Sequence, residues 1–314
     1  MSAVLGGREA PARRAGKVRW RSVLLFCVLA FVLAWASFFG LRGAVAFSVR
    51  ATLGMYAPVV AAIVTRLVLR EGFADFGLRL SVRRSWRWAY PAAYLVPIAL
   101  TAVGVLLVLL LREQHWVLYQ RWELVLGALA EKTPKASAAL HRAGAALLFA
   151  QLVEDLTIVV VINCLATLGE EFGWRGHLLP RLVPLGEVWA VVLVGVLWGL
   201  WHAPLIALDG YEFGIRSWAV VPAFCLFTVP FGAILAWLRL RANSTWPGVL
   251  AHATVNALGP LVVTLLLSRA PSALLGSPVG LLGVVPFWAF AIWLVATRRL
   301  SFARRQTVAV STST

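Results

Sequence analysis

Two adjacent glutamates in an apolar stretch have the clearest chemical potential in this chain. Glu170 and Glu171 are followed by Arg175, which lies one helical turn beyond the second glutamate. A carboxylate in hydrocarbon costs about 2.5–3.5 kcal/mol on insertion scales, so its presence there indicates a function. Like charges disfavour each other's ionisation, and an arginine at i+4 neutralises one member of the pair. The spacing therefore predicts one carboxylate that binds and releases a proton, with the other carboxylate and Arg175 in support.

Two histidines and an asparagine lie in later apolar stretches and suit the same chemistry. His202 follows Trp198 by four residues, and Asn256 follows His252 by four, so each pair shares one helix face. Taken singly, an intramembrane histidine or asparagine is commonly interhelical packing, and a glutamate–arginine pair is commonly structural. Together they favour a hydrolytic site, because amide hydrolysis needs a base, a held water and donors where negative charge develops.

The composition predicts that these groups lie in a polytopic membrane protein. Of 314 residues, 61% are hydrophobic and 13% are charged, and the mean hydropathy is +0.84, outside the range of soluble domains. A helix needs about 20 apolar residues to cross a bilayer. The predicted spans are 22–41, 51–69, 89–111, 145–166, 188–207, 218–238, 246–267 and 279–297. The expected fold is an all-α bundle of about eight transmembrane helices with a polar catalytic cavity inside.

The apolar run that contains the glutamates, 143–182, is too long for one crossing, so its helix is expected to break or to extend beyond the membrane. At about 1.5 Å of rise per residue, Glu170 lies roughly 18 Å from the inner end of its helix. His202 lies roughly 21 Å from the start of its own span, whereas His252 lies roughly 12 Å in. The estimate permits one shared cavity, with His252 closer to the cytoplasm unless its helix is tilted.

The basic residues predict the orientation in the membrane. The net charge is +16, but the arginines are dispersed between apolar spans rather than gathered on a soluble domain, which argues against nucleic acid as a partner. With both termini inside, the inner segments hold 19 lysines and arginines and the outer segments hold nine. Arg66, near the inner end of the second span, is expected to snorkel. The positive-inside rule thus predicts a multi-pass protein of the cell membrane with both termini in the cytoplasm.

One membrane domain is expected to occupy most of the chain. Residues 1–21 are predicted to form a basic cytoplasmic tail, 22–300 the membrane domain and 301–314 a polar tail. The first span contains Ala34-Trp35-Ala36, which resembles a signal-peptide cleavage site, but the length of its apolar run favours a retained anchor. The outer connection 112–142 suits an interfacial helix or a lid. His177 is expected to be solvated or to contact headgroups at the inner interface. The three cysteines lie in separate spans, which indicates neither a disulfide framework nor a cysteine metal site.

The three polar groups resemble, in order and spacing, the motifs of the CPBP family. This family comprises the CAAX-protease and bacteriocin-processing intramembrane proteases and includes the Ras-converting enzyme. The glutamate group fits the motif Glu-Glu-x-x-x-Arg, and the last group fits His-x-x-x-Asn. The segment from Trp198 to His202 resembles Phe-x-x-x-His, with tryptophan where phenylalanine is common. Each motif is short, but three in order within a membrane protein are fairly specific.

The resemblance implies a glutamic-type, metal-independent intramembrane endopeptidase that acts on a membrane-associated peptide or protein. The implied site residues are Glu170 as the base, Glu171 and Arg175 as its support, His202 as the group that holds the water, and His252 and Asn256 as oxyanion donors. The two glutamates could exchange roles. The resemblance implies no cofactor, although Glu170 with the two histidines could also form a zinc site of one carboxylate and two imidazoles.

Two functions from other classes stay open at this point. A transporter or channel could use the same intramembrane polar groups to bind a proton or a substrate. Internal repeats or paired broken helices would favour it, and neither is evident in the sequence. A non-catalytic immunity or scaffold protein could also retain such residues, although the complete polar set argues against that function.

Overall fold

The described part of the chain is entirely helical in its regular structure. A computed structural model describes residues 17–80, 83–111, 149–150, 152–266 and 273–300. Within these residues there is no sheet, only an isolated bridge between Arg42 and Val45. The prediction of an all-helical membrane bundle is confirmed. Most of the two predicted tails and the predicted lid at 112–142 lie outside the described residues, so the division into tails and membrane domain stays a prediction.

The described residues form the following helices in chain order. The first three are α1 (Trp20–Gly40), α2 (Phe47–Val68) and α3 (Arg83–Leu110). A long helical segment, Leu152–Leu185, contains α4 (Val160–Glu171) and α5 (Leu179–Leu182). The remaining helices are α6 (Glu187–Trp201), α7 (Ala203–Asp209), α8 (Val221–Ala242), α9 (Trp246–Leu266), α10 (Ala273–Gly276) and α11 (Val285–Ala296).

Six helical segments of the described residues are long and apolar enough to cross a membrane, which makes the chain a multi-pass membrane protein. They are Trp20–Gly40, Phe47–Val68, Trp86–Leu110, Leu152–Leu185, Glu187–Asp209 and Trp218–Ala242. The predicted seventh span agrees with α9, which has 21 residues. The predicted eighth span, 279–297, is wrong in length because α11 has only 12 residues, or about 18 Å. Residues 277–284 form turns instead, since a proline and two glycines interrupt this apolar stretch.

The segment that carries the glutamates differs most from its prediction as a span over 145–166. It continues to Leu185 and has 34 residues, more than one crossing requires. Two wide turns of π-helix interrupt its α-helical path, one at Asp155–Val159 and one at Phe172–Leu178. The second begins directly after Glu171, and all seven of its residues are buried. Such π turns are frequent at functional sites because they redirect the side chains that follow.

Two glycines on this segment bring its backbone against the backbone of α2. An ideal Cβ at Gly169 would lie 2.5 Å from the carbonyl oxygen of Met55, and one at Gly173 would lie 2.6 Å from the carbonyl carbon of Pro58. These distances are shorter than van der Waals contact, so only glycine fits at either position. Small residues spaced by four permit such close helix contacts in membranes. The glutamates lie between these two glycines, so the glycine contacts with α2 determine where the glutamates lie relative to that helix.

A buried polar cluster forms where α2 ends, and its burial contradicts the predictions for Arg66 and His177. Arg66 and His177 are both 0% exposed, so Arg66 does not snorkel and His177 is not solvated. Arg66 Nε donates to His177 Nδ1 at 3.1 Å. Arg181 pairs with Glu71, which lies on the loop after α2. Burial raises the pKa of Glu71, but the hydrogen bonds from Arg181 and Ser22 and the arginine charges outweigh it and lower the pKa. The loop thus folds back to supply carboxylates to buried cations.

The glycine contact generates a stability prediction. Gly173→Ala is expected to lower the free energy of unfolding by about 1–3 kcal/mol, because the added methyl group must push α2 away. Gly40→Ala is the matched control, since a Cβ there has no atom within 4 Å. Thermal unfolding of the two variants in detergent measures the difference. Equal melting temperatures would show that α2 adapts to the methyl group without cost.

Candidate active site

The first glutamate of the pair faces a cavity and has one strong hydrogen-bond donor. Glu170 is 1% exposed, and its Oε2 accepts a hydrogen bond from Trp198 Nε1 at 2.5 Å. Trp198 is on the last turn of α6, so this bond joins the glutamate segment to a second helix. The indole therefore holds one carboxylate oxygen and leaves Oε1 for other partners.

The second glutamate has a different environment, behind the cavity wall. Glu171 Oε1 accepts a hydrogen bond from Arg175 Nη1 at 2.7 Å and one from His252 Nδ1 at 3.0 Å. All three residues are buried. Gly248, one turn before His252, leaves room for Glu171, because an ideal Cβ there would lie 3.1 Å from Oε2. One carboxylate thus joins the glutamate segment to α9 and neutralises a buried arginine.

Trp198 contacts both halves of this arrangement, and the sequence analysis did not assign it a polar role. The Arg175 guanidinium carbon lies 4.2 Å from the centroid of the Trp198 ring, within cation–π distance. The edge of the same indole donates to Glu170. Phenylalanine, the more common residue in this motif, could pack against Arg175 but could not donate to Glu170. The indole N–H, which phenylalanine lacks, was the signal in the sequence for the additional role.

His202 lies at the junction of α6 and α7, where its ring is held on several sides. Its Nδ1 lies 2.8 Å from the carbonyl oxygen of Trp198. A carbonyl only accepts, so Nδ1 carries the proton and Nε2 keeps its lone pair. The ring is parallel to that of Tyr211, with 4° between the planes and 6.2 Å between the centroids. The imidazole is therefore fixed in both tautomer and orientation.

The predicted residues divide into a cavity wall and a supporting layer. A cavity of about 710 Å³ is lined by Glu170, His202, His252 and Asn256, together with mainly apolar and aromatic side chains. Glu171 and Arg175 do not line it. His252 lies at the same cavity as Glu170 and His202, although the depth estimate placed it nearer the cytoplasm. The estimate counted residues from the start of each helix, and the helices do not begin at the same depth. Among the described residues, no three His, Cys, Asp or Glu side chains are grouped as a metal site requires.

Two ionisable residues on the cavity wall were missed by the sequence analysis. Tyr211 and Glu212 follow α7 on a short loop and line the same cavity. Burial raises the pKa of the Tyr211 phenol, and the charge of Glu212 beside it adds to the shift. The available signal was a Tyr-Glu pair between Gly210 and Gly214, in the short polar loop between two apolar stretches. Neither residue belongs to the three motifs.

Comparison with known proteins identifies relatives of the segment that contains these groups. Residues 152–258 match the family model described as type II CAAX prenyl endopeptidase Rce1-like. Over 107 residues the chain is 31% identical to CAAX prenyl protease 2 of Methanococcus maripaludis, a match that covers 32% of this chain and 40% of that protein. The matched segment begins just before the glutamate helix and ends two residues after Asn256. The family resemblance of the motifs is confirmed.

The buried ion pair makes a prediction that requires no substrate. Glu171→Gln and Arg175→Met are each expected to lower the free energy of unfolding by about 3–5 kcal/mol, since each leaves a buried charge without its partner. The double variant should lose clearly less than the sum of the two. Denaturant unfolding in detergent of the four proteins gives the coupling. Additive losses would mean that the two side chains do not act as a pair.

Proposed function

Because residues 152–258 form an Rce1-like domain, we propose that this chain is an intramembrane endopeptidase that hydrolyses a peptide bond in a membrane-associated peptide or protein. The observation that carries the proposal is the common cavity of Glu170, His202, His252 and Asn256 inside a helical bundle. This set supplies a base, a water ligand and oxyanion donors, the three functions that amide hydrolysis requires. A cavity of about 710 Å³ also has room for a short extended segment and for the water that lipid does not supply.

Glu170 is the base in this mechanism. Trp198 holds its Oε2, so Oε1 takes a proton from a water molecule in the cavity. The oxygen of that water attacks the carbonyl carbon, and the C–O bond forms as the carbonyl electron pair moves to its oxygen. The protonated Glu170 then gives its proton to the leaving nitrogen as the C–N bond breaks. Glu171 is the less suitable base because its Oε1 already accepts two hydrogen bonds and it does not line the cavity.

His202 positions the attacking water. Its Nδ1 proton is committed to the Trp198 carbonyl, so Nε2 accepts a hydrogen bond from the water and directs an oxygen lone pair away from the ring. The parallel Tyr211 ring and the surrounding aromatic side chains limit rotation of the imidazole. A water held in a fixed orientation avoids much of the entropic cost of the attack.

His252 and Asn256 stabilise the oxyanion of the tetrahedral intermediate. His252 donates its Nδ1 proton to Glu171, so its Nε2 donates to the oxyanion only when the ring is doubly protonated. The Asn256 amide donates in every state and lies one helical turn further along α9. A single preorganised donor of this kind contributes about 100- to 1,000-fold in kcat.

The membrane setting completes the proposal. The excess of lysine and arginine in the inner segments supports a cell-membrane protein with both termini in the cytoplasm. The partners are the lipid bilayer and a peptide or protein that enters the cavity from it, and no nucleic acid is involved.

Substitution of the base tests the mechanism directly. Glu170→Gln is expected to lower kcat by about 100- to 10,000-fold, because the amide cannot accept the proton from water. Trp198→Phe keeps the ring beside Arg175 and removes only the indole donor, so we expect about a tenfold loss in kcat with little change in KM. Cleavage of a membrane-peptide library by protein reconstituted in liposomes measures both. Wild-type rates for Glu170→Gln would rule out this base, and solute flux without cleavage would favour a transporter.

Metal independence is a separate part of the proposal and has its own test. We expect the reconstituted protein to keep its cleavage rate after treatment with EDTA or 1,10-phenanthroline, because Glu170 activates water without a metal. Elemental analysis of the purified protein accompanies the assay. If the chelator abolishes cleavage and only zinc restores it, the metal-free mechanism is wrong and a metal-bound water is the nucleophile.

A further inference from the structure

The loop after α7 is built around an unusual backbone conformation at Glu212. This residue has φ +68, in the left-handed region that non-glycine residues rarely adopt. Phe213 N donates to the Tyr211 carbonyl at 2.9 Å across it, which makes Glu212 the centre of a γ-turn of the rare, strained kind. Gly214 N donates to the Gly210 carbonyl at 2.7 Å and closes the loop. The surrounding contacts thus enforce a conformation that costs about 1–3 kcal/mol.

The anchor of this loop explains where its polar residues lie. Phe213 is 0% exposed, and its ring packs against that of Phe224 on α8 at 6.4 Å. The two residues before it, Tyr211 and Glu212, line the cavity. Because the Tyr211 ring is parallel to that of His202, the loop lies on the His202 side of the site. Glu212 therefore lines the same cavity as His202, on a loop with a fixed attachment.

The charges around the cavity suggest what this wall binds. Among the described residues, its lining contains two carboxylates, those of Glu170 and Glu212, and no lysine or arginine. Arg50 and Arg42, which approach this end of the bundle, bind Asp209 instead, at 2.7 Å and 3.4 Å. Burial raises the pKa of Glu212, against a lowering by its hydrogen bond with Tyr211. A cation in the cavity would stabilise the ionised carboxylate, whereas a free carboxylate would be repelled.

We propose that the 210–214 loop is a specificity subsite of the cavity, in which Glu212 binds the positively charged side chain of a lysine or arginine of the substrate. This inference rests on the proposed peptidase function and adds to it a preference for a basic residue in the substrate. Glu212 and His202 line the same cavity. The basic residue therefore lies in the part of the substrate that this cavity holds.

Three matched peptides test the preference. They share one leucine–alanine transmembrane sequence and carry a single central lysine, norleucine or glutamate. With the wild-type protein in phosphatidylcholine liposomes, we expect kcat/KM for the lysine peptide to exceed that for the norleucine peptide at least about tenfold, as for a hydrogen bond between charged groups. Glu212→Gln should bring the ratio close to one, and Glu212→Lys should favour the glutamate peptide. An unchanged ratio in Glu212→Gln would overturn the subsite.

Two further variants separate charge from folding. Glu212→Gly removes the carboxylate and relieves the left-handed strain, so it should fold at least as well as the wild type and still lose the lysine preference. Asp209→Asn removes a carboxylate three residues earlier that faces arginines rather than the cavity. It weakens the attachment of the loop, because buried Arg50 loses its charged partner, but it leaves Glu212 in place and should keep the preference. If Asp209→Asn loses the lysine preference as fully as Glu212→Gly does, the preference depends on the fold of the loop and not on the Glu212 carboxylate.

A binding measurement distinguishes failure of the subsite from failure of the proposed peptidase. The Glu170→Gln protein is mixed with fluorescent versions of the three peptides in the same liposomes, and energy transfer reports binding. If the wild type cleaves no peptide but tighter binding of the lysine peptide depends on Glu212, the subsite stands and the peptidase proposal fails. If cleavage is normal and neither binding nor cleavage favours lysine, only the subsite is wrong.

Discussion

The Glu171 carboxylate is the interaction on which the site depends. It binds Arg175 on its own segment and His252 on α9 through the same oxygen. Without the arginine, two adjacent carboxylates would be buried with no compensating charge, at a cost of several kcal/mol. Without the histidine, α9 would lose its polar link to the glutamate segment. The neighbouring Glu170 can face the cavity because Glu171 holds these charges behind it.

A second constraint acts through Trp198, which separates the two carboxylate environments. Its ring lies against the Arg175 guanidinium, and its N–H is bonded to Glu170. The backbone carbonyl of the same residue orients His202. A single residue of α6 therefore contacts the support, the proposed base and the water ligand. Small movements of this helix would alter all three, and the backbone contact of Gly195 with α8 resists them, because an ideal Cβ there would lie 2.6 Å from Val229 Cα.

The sequence predicted those features that depend on local spacing or on hydropathy. The helices were expected from long apolar runs, and the pairing of Glu171 with Arg175 from their separation of four. The orientation of Glu170 toward the cavity depends on how α2 and the π turn rotate the helix, which spacing alone does not specify. Arg66 and His177 were assigned to the interface because the fold of the loop after α2 is a non-local property. The short α11 was overestimated because hydropathy counts apolar residues in turns as well as in helices.

The elements that surround the cavity carry different kinds of constraint. The glutamate segment is positioned by backbone contact at Gly169 and Gly173, where no side chain is present to yield. The 210–214 loop is attached through one buried phenylalanine and its own hydrogen bonds. Glu212, which makes no ring contact with His202, can therefore change without displacing the glutamates. In evolutionary terms, the position that would select a substrate is free to diversify while the proposed hydrolytic residues remain in place.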